Sequence, residues 1–181
     1  MAFPDIDYSH ERLFEGKIIY FSGSMQGVLN TDPNFSYDLV QFMISNGAKV
    51  LDVHVVGRTD EEKRRLFIQD NGFDTNSEIT PNPWLAVEEV DIKQVDEATH
   101  VISLVNGPSH GVGNEIQRAI DNYEMRGLKT EILCLVQEDR LNNLSWMIRG
   151  KEKPKYPNFH LKTYTDFGDA KRIVEEFLTS K

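Results

Sequence analysis

Apolar residues recur along this chain in two distinct periods. "KIIYFSG", "THVISLV" and "TEILCLV" are short unbroken apolar runs, and "AKVLDVHVV" is rich in β-branched residues. Runs of this kind read as strands buried on both faces. Between them the spacing changes. "YDLVQFMISNG" places Leu39, Val40, Phe42, Met43 and Ile44 at helical intervals, with Gly47 where a helix would end. "WLAVEEVDIKQVDEA" repeats the pattern with Leu85, Val87, Val90, Ile92 and Val95. "VGNEIQRAIDNYEMRG" reads as a further helix and "AKRIVEEFLTS" as a closing amphipathic one. The polar region from Gly57 to Pro83, with Gly72 and Pro81, reads as an insertion or mobile lid holding about one turn of helix at "DEEKRRLF".

Strands alternating with helices imply a mainly parallel sheet covered on both faces. The expectation is an α/β single-domain sandwich over residues 1–181, with about five strands, flavodoxin-like or Rossmann-like, and with 57–83 as its insertion. In open sheets of this kind ligands bind outside the carboxyl ends of the strands. Three loops qualify: "SGSMQG", "NGPSHGVGNE" and "QEDRLNNLSWMIRG".

Composition narrows the ligand. Lys and Arg number 20 against 29 Asp and Glu, a net charge of 20 − 29 = −9, which argues against gripping a nucleic-acid backbone. No apolar run approaches the roughly 20 residues that span a bilayer. The acidic N-terminus lacks the pattern of a secretion signal, so a cytoplasmic location is expected. Cys134 is the only cysteine, which excludes a disulfide or a cysteine-based zinc site within one chain and suggests a buried, inert thiol. His10, His100 and His160 show no metal-ligand spacing, and His110 reads as a loop residue. "KEKPKYP" reads as a short solvated loop.

"SGSMQG" and "PSHGVG" offer small residues with accessible backbone N–H groups, which suits either an anion cradle or an ordinary turn. The first loop is not a Walker A motif, because no Lys follows, and it is not a GxGxxG fingerprint; nucleoside triphosphate hydrolysis is disfavoured. Glu115 follows the second loop, either as a first-turn acid favouring the helix dipole or as a reactive carboxylate. Asp91 sits mid-helix among apolar positions, where Asp is a poor helix former; its plainer reading is a partly exposed helix residue.

Taken in order, "IYFSGSMQG", "VHV", the helix bearing Asp91, "VISLVNGPSHGVGNEIQRA", "ILCL" and "LSWMIRG" resemble the signature of the nucleoside 2-deoxyribosyltransferase family. The chain is most similar to the 2'-deoxynucleoside 5'-phosphate N-hydrolase branch of that family, over residues 17–150. The resemblance implies cleavage of an N-glycosidic bond by double displacement. It makes Glu115 the nucleophile, Asp91 the acid that protonates the departing base and then activates water, and Tyr20 a hydrogen-bond donor orienting Glu115. It implies hydroxyl contacts to a 5'-phosphate from Ser24, Ser109 and Ser145, the last from a neighbouring subunit with Met147 beside it. Gly23, Gln26, Gly27, Gly111 and Gly113 would line the sugar-phosphate site, and His54 would approach the base. No metal or organic cofactor is required, and a homodimer or larger homo-oligomer with shared sites is implied.

Two positions depart from the family pattern. Gln26 stands where animal hydrolases carry an Arg, so one positive charge near the phosphate is missing; Arg149 or an Arg of the 57–83 insertion could replace it. Thr99 stands where an acid precedes the strand. Base exchange by a deoxyribosyltransferase is the main alternative function; a ribonucleotide hydrolase and a non-catalytic nucleotide sensor are further rivals. Residues of the insertion are expected to set the base preference.

Overall fold

The protein is described from a computed structural model, which covers residues 12–23, 34–51, 53–77, 82–152 and 154–180. Five strands, β1 (Ile18–Gly23), β2 (Lys49–Leu51), β3 (His100–Leu104), β4 (Glu131–Gln137) and β5 (Phe159–Tyr164), form one sheet in the order β2-β1-β3-β4-β5. Every pairing is parallel. The expected α/β sandwich is therefore present, and wholly rather than mainly parallel. Six α-helices accompany it: α1 (Phe35–Ser45), α2 (Asp60–Asn71), α3 (Pro83–Glu97), α4 (His110–Arg126), α5 (Trp146–Arg149) and α6 (Phe167–Thr179). Two 3-10 segments, Val53–Val56 and Glu138–Asn143, complete the described elements.

Because successive side chains of a strand point to opposite faces, β1 splits its residues between two cores. Ile19 and Phe21 pack with Leu39 and Met43 of α1 and Val174 of α6. Tyr20 packs with Val95 of α3 and with Val112 and Ile116 of α4. The second face thus carries both helices that bear acids of interest. Its strands read as continuous apolar runs because both faces are covered, and all five residues of β3 are buried.

Several elements differ from the sequence reading. The polar region holds three turns of helix rather than one. The α2 helix runs 12 residues, capped by the Thr59 hydroxyl accepting from Glu62 N at 3.1 Å and ended by Gly72 at φ +76°. Three acids in its first turn favour the dipole, while Phe67 is its one buried residue, so no apolar periodicity announced it. The "AKVLDVHVV" strand stops at Leu51 and continues as the 3-10 segment containing His54. The fifth strand, which had no sequence assignment, is "FHLKTY" at the sheet edge, where mixed burial blurs the pattern. Lys151 of "KEKPKYP" is buried rather than solvated, donating from Nζ to the Gln117 side chain of α4. Cys134 is buried as expected, and burial pushes its thiol well above the usual range.

Candidate active site

Parallel register brings the carboxyl ends of β1, β3 and β4 to one rim: Gly23 pairs with Leu104, and Leu104 with Leu135. The chain leaves β3 at that rim and enters α4 after a five-residue connection. Ser109 caps α4, its hydroxyl accepting from Val112 N at 3.3 Å. His110 is therefore the first residue of the helix rather than a loop residue, and Glu115 lies in the second turn rather than the first. That position weakens the plain dipole explanation for Glu115, because the effect fades beyond the terminal turn.

Gly111 marks where the groups of this helix head converge. A Cβ built there would lie 3.6 Å from Glu115 Oε1 and 3.9 Å from Ser109 Oγ. The missing side chain leaves carboxylate and hydroxyl bordering one space beside exposed backbone, and Glu115 Oε2 is shut off from solvent. Under this head lies Tyr20, fully buried, with its hydroxyl oxygen also inaccessible. Two residues on, Ser22 and Ser103 pair across β1 and β3 with their hydroxyl oxygens 2.7 Å apart, both buried.

Asp91 stands half-buried on α3, the neighbour of α4. The two helices are tied by a polar cluster that the sequence reading missed. Asp96 of α3 accepts a two-pronged bond from Arg118 of α4, Nε to Oδ1 at 2.8 Å and Nη2 to Oδ2 at 2.7 Å. Asn122 Nδ2 donates to Oδ1 at 2.9 Å and Arg126 Nη1 to Oδ2 at 2.6 Å. Arg118, helped by Arg126 and Asn122, holds the Asp96 carboxyl far below the usual carboxylate range. Twenty-two residues separate Asp96 from Arg118, so no local spacing signals the pair.

A second missed cluster holds the loop itself. Asn106 sits between β3 and Ser109; its Nδ2 donates to the Tyr164 hydroxyl at 2.5 Å and its Oδ1 accepts from Gln137 N at 2.7 Å. Arg140 Nη1 donates to the Asn106 carbonyl at 3.4 Å. Burial raises the Tyr164 phenol, while the Asn106 bond and the Arg140 charge act the other way.

The remaining expectations divide. His54 packs edge-on against Phe67, ring centroids 4.9 Å apart, and Phe67 against Phe73 at 5.1 Å, so it belongs to an aromatic cluster with α2. Gly23 ends β1 at the rim, and Gly113 lies in the first turn of α4 with open space around it. Ser145 caps the short α5, and Met147 and Trp146 stand 77% and 87% exposed, so within one chain these residues face outward. Ser24, Gln26 and Gly27 lie outside the described residues. A groove of about 560 Å³ runs elsewhere, along β5 and α6 past His160, Lys162 and Phe177. None of the candidate catalytic acids lines it, and the chemistry at the α4 head outweighs its volume as a guide.

Known proteins bear on this arrangement. No family model matches the chain. A 5-hydroxymethyl-dUMP N-hydrolase of Branchiostoma floridae is 36% identical over 96 residues, spanning 53% of this chain and 83% of the relative. The Tetraodon nigroviridis protein of the same name is 28% identical over 169 residues, spanning 90% of this chain and 98% of the relative. A Clostridium botulinum CMP N-glycosidase has a similar fold, with a TM-score of 0.56, 18% identity, and coverage of 89% of this chain and 99% of that one. The chain is thus an enzyme of the N-glycosidase class. More narrowly, it belongs to the 2'-deoxynucleoside 5'-phosphate N-hydrolase family.

Proposed function

We propose that this enzyme hydrolyses the N-glycosidic bond of 2'-deoxynucleoside 5'-monophosphates, releasing a free nucleobase and 2-deoxyribose 5-phosphate. The observation that carries the reading is the α4 head, where the Glu115 carboxylate and the Ser109 hydroxyl border the space left by Gly111. The relatives' names supply the substrate class.

In the first step Glu115 forms an ester bond to C1' as the C1'–N bond breaks, and Asp91 gives its proton to the leaving base. In the second, a water attacks C1', Asp91 takes its proton back, and the ester opens to regenerate Glu115. Two carboxyl groups suffice for this exchange of roles, as in retaining glycosidases generally. The buried Tyr20 hydroxyl, on the face beneath α4, orients the Glu115 carboxylate. Ser24 and Ser109 bind the phosphate, with backbone N–H groups near Gly23, Gly27, Gly111 and Gly113 assisting.

Ser145 and Met147, exposed on α5, complete the site of a second copy, making the working form a homodimer or larger assembly. The exposed Trp146 between them suits burial at such a contact.

The test is chromatography of each deoxynucleoside monophosphate incubated with the protein, alone and with a second free base, beside the parent nucleosides. Free base and deoxyribose phosphate from the monophosphates, abolished in Glu115→Ala, are expected. Mass spectrometry of protein quenched during turnover should show the sugar phosphate bound to the wild type. Base release that survives in Glu115→Ala would overturn the mechanism. Exchange product from unphosphorylated nucleosides, which the missing charge at Gln26 would favour, would make the enzyme a transferase instead.

A further inference from the structure

Among the described residues Lys151 is the one lysine that is buried, at 7% exposure. An ammonium is costly to bury unless it is hydrogen-bonded, and apolar side chains of similar volume often serve stability as well as a buried charge does. Its contacts point instead to placement. Nζ donates to the side-chain oxygen of Gln117 on α4, and Gln117 Nε2 donates in turn to Asp121 Oδ1 at 2.8 Å, one turn further along the helix. Nζ also stands 5.6 Å from the centre of the Tyr156 ring, and its charge acts on the buried Cys134 thiol of β4.

The main chain of Lys151 belongs with α5. Its N–H donates to the Ile148 carbonyl at 3.0 Å, and Gly150 N donates to the Trp146 carbonyl at 2.8 Å, continuing the turn that Ser145 opens. Of the four residues of α5 none is buried, and Ile148 packs only partly against the core. A helix this short does not hold itself together in water. By contrast α4 has 17 residues, five of them buried. A bond between a well-seated helix and a poorly seated one fixes the second, so Lys151 sets the pose of α5 on α4. What α5 turns outward are Ser145, Trp146 and Met147.

We infer that Lys151 is a positioning residue for the active site of the opposite subunit: bonded through Gln117 to its own α4, it holds α5 in the pose that presents Ser145 to the partner's substrate phosphate. This rests on the shared-site reading above. The effect is directional. Loss of the ammonium disturbs the site across the contact and spares the one in its own chain, whereas a brace of the fold would disturb both.

The experiment uses mixed dimers of two differently tagged, co-expressed chains. One chain carries Glu115→Ala, so the single live site lies in the other chain and is served by α5 of the Glu115→Ala chain. Lys151→Met is placed either in the Glu115→Ala chain, across the contact from the live site, or in the live chain itself. Ser145→Ala in the Glu115→Ala chain is the reference. A hydroxyl bond to a charged group is worth about tenfold or more in binding, so this reference should raise KM for deoxynucleoside monophosphates by at least that factor. Lys151→Met across the contact should raise KM by a smaller factor, about threefold or more, with kcat little changed, because it misplaces the Ser145 hydroxyl without removing it. The same substitution in the live chain should leave KM where it was. Combined with Ser145→Ala in one chain, Lys151→Met should add nothing further. Urea unfolding of the Lys151→Met dimer should match or exceed the wild type.

Equal KM changes from the two placements, or a loss that adds to that of Ser145→Ala, would overturn the inference while leaving the shared site intact. Lys151→Gln is measured alongside; failure of both variants to fold would assign the ammonium to stability and overturn it too. A chain that forms no dimer, or a live site indifferent to Ser145→Ala across the contact, would sink the shared-site reading and the inference with it.

Discussion

Replacing Asp96 with Ala removes the acceptor on which α4 closes against α3. Four donor contacts are lost: two from Arg118, one from Arg126 and one from Asn122. They are not of equal worth. The Arg126 side chain is 45% exposed, so its share is at most about 0.5 to 1 kcal/mol after solvent screening. The Asn122 amide is completely buried, and leaving its Nδ2 without this acceptor costs about 1 kcal/mol or more. The Arg118 fork, a third exposed, is discounted to about 1 kcal/mol for the same reason as Arg126. Asp96→Ala is expected to lose about 3 kcal/mol in urea-induced unfolding, with Asp96 and Arg118 showing a coupling energy of about 1 kcal/mol in a double-mutant cycle.

The pH dependence of this loss sharpens the test. A carboxyl whose folded pKa is depressed stabilises the fold above its unfolded value, about 3.9, and the contribution disappears only as pH falls through the folded value. Because Arg118 drives Asp96 far down, the deficit of the variant should be the same at pH 5 and pH 8. Arg118 follows Glu115 by one helical turn, and Asp96 follows Asp91 by five residues, about 7.5 Å along the axis. Loosening the clamp should therefore also reduce kcat at temperatures where the variant is fully folded. A deficit under about 1 kcal/mol with no coupling would show that apolar packing alone sets the α3–α4 contact.

Three further outcomes are expected. Gly111→Ala should raise thermal stability, since Ala replaces Gly in a helix at a gain of about 0.5 to 1 kcal/mol, yet its methyl, 3.6 Å from Glu115 Oε1, should cut kcat/KM at least about tenfold; loss of both would point to a folding defect. Gly57→Ala should cost about 2 kcal/mol or more by chemical denaturation, because its Cβ would fall 2.7 Å from the backbone N of Lys63 and 2.8 Å from its Cα, a clash that no side-chain rotation relieves. His100, 8% exposed, is held neutral by burial and secondarily by Lys17, its pKa lowered to about 4 from 6.5. Its unfolded form takes up a proton that the folded form refuses, so stability is complete above about pH 6.5 and declines towards pH 4 by at most about 3 kcal/mol. Comparing unfolding of wild type and His100→Phe at pH 7.5 and 5 should show a smaller acid loss in the variant.

The sequence pattern carried some parts of this molecule and not others for physical reasons. β1, β3 and β4 are covered on both faces, so burial wrote itself into them as continuous apolar runs. Edge strand β5 alternates Leu161 with the exposed Lys162, and α2 is stabilised by caps and dipole rather than by an apolar stripe, so periodicity had little to detect in either. The acids Glu115 and Asp91, and Ser109 at the cap, stood out because they sit beside glycines or against helix preference. Asp96, Asn106 and Arg140 gave no such local signal, because their partners lie 22 to 58 residues away.

That contrast has a functional side. The residues assigned to the chemistry lie on two helices and three strand ends, and none of these elements fixes its neighbour by local structure alone. Apolar packing sets the distance between α3 and α4 but slides easily along the helix axes, because dispersion is weakly directional. A two-pronged bond from Arg118 to Asp96 resists that sliding, since both prongs must stay in plane with the carboxylate. The loop before Ser109 is governed in the same way by Asn106, whose amide bonds to elements on two other strands. Positional accuracy at the α4 head therefore depends on polar contacts outside it. Substitutions at Asp96 or Asn106 should alter turnover more than the modest exposure of either residue would suggest.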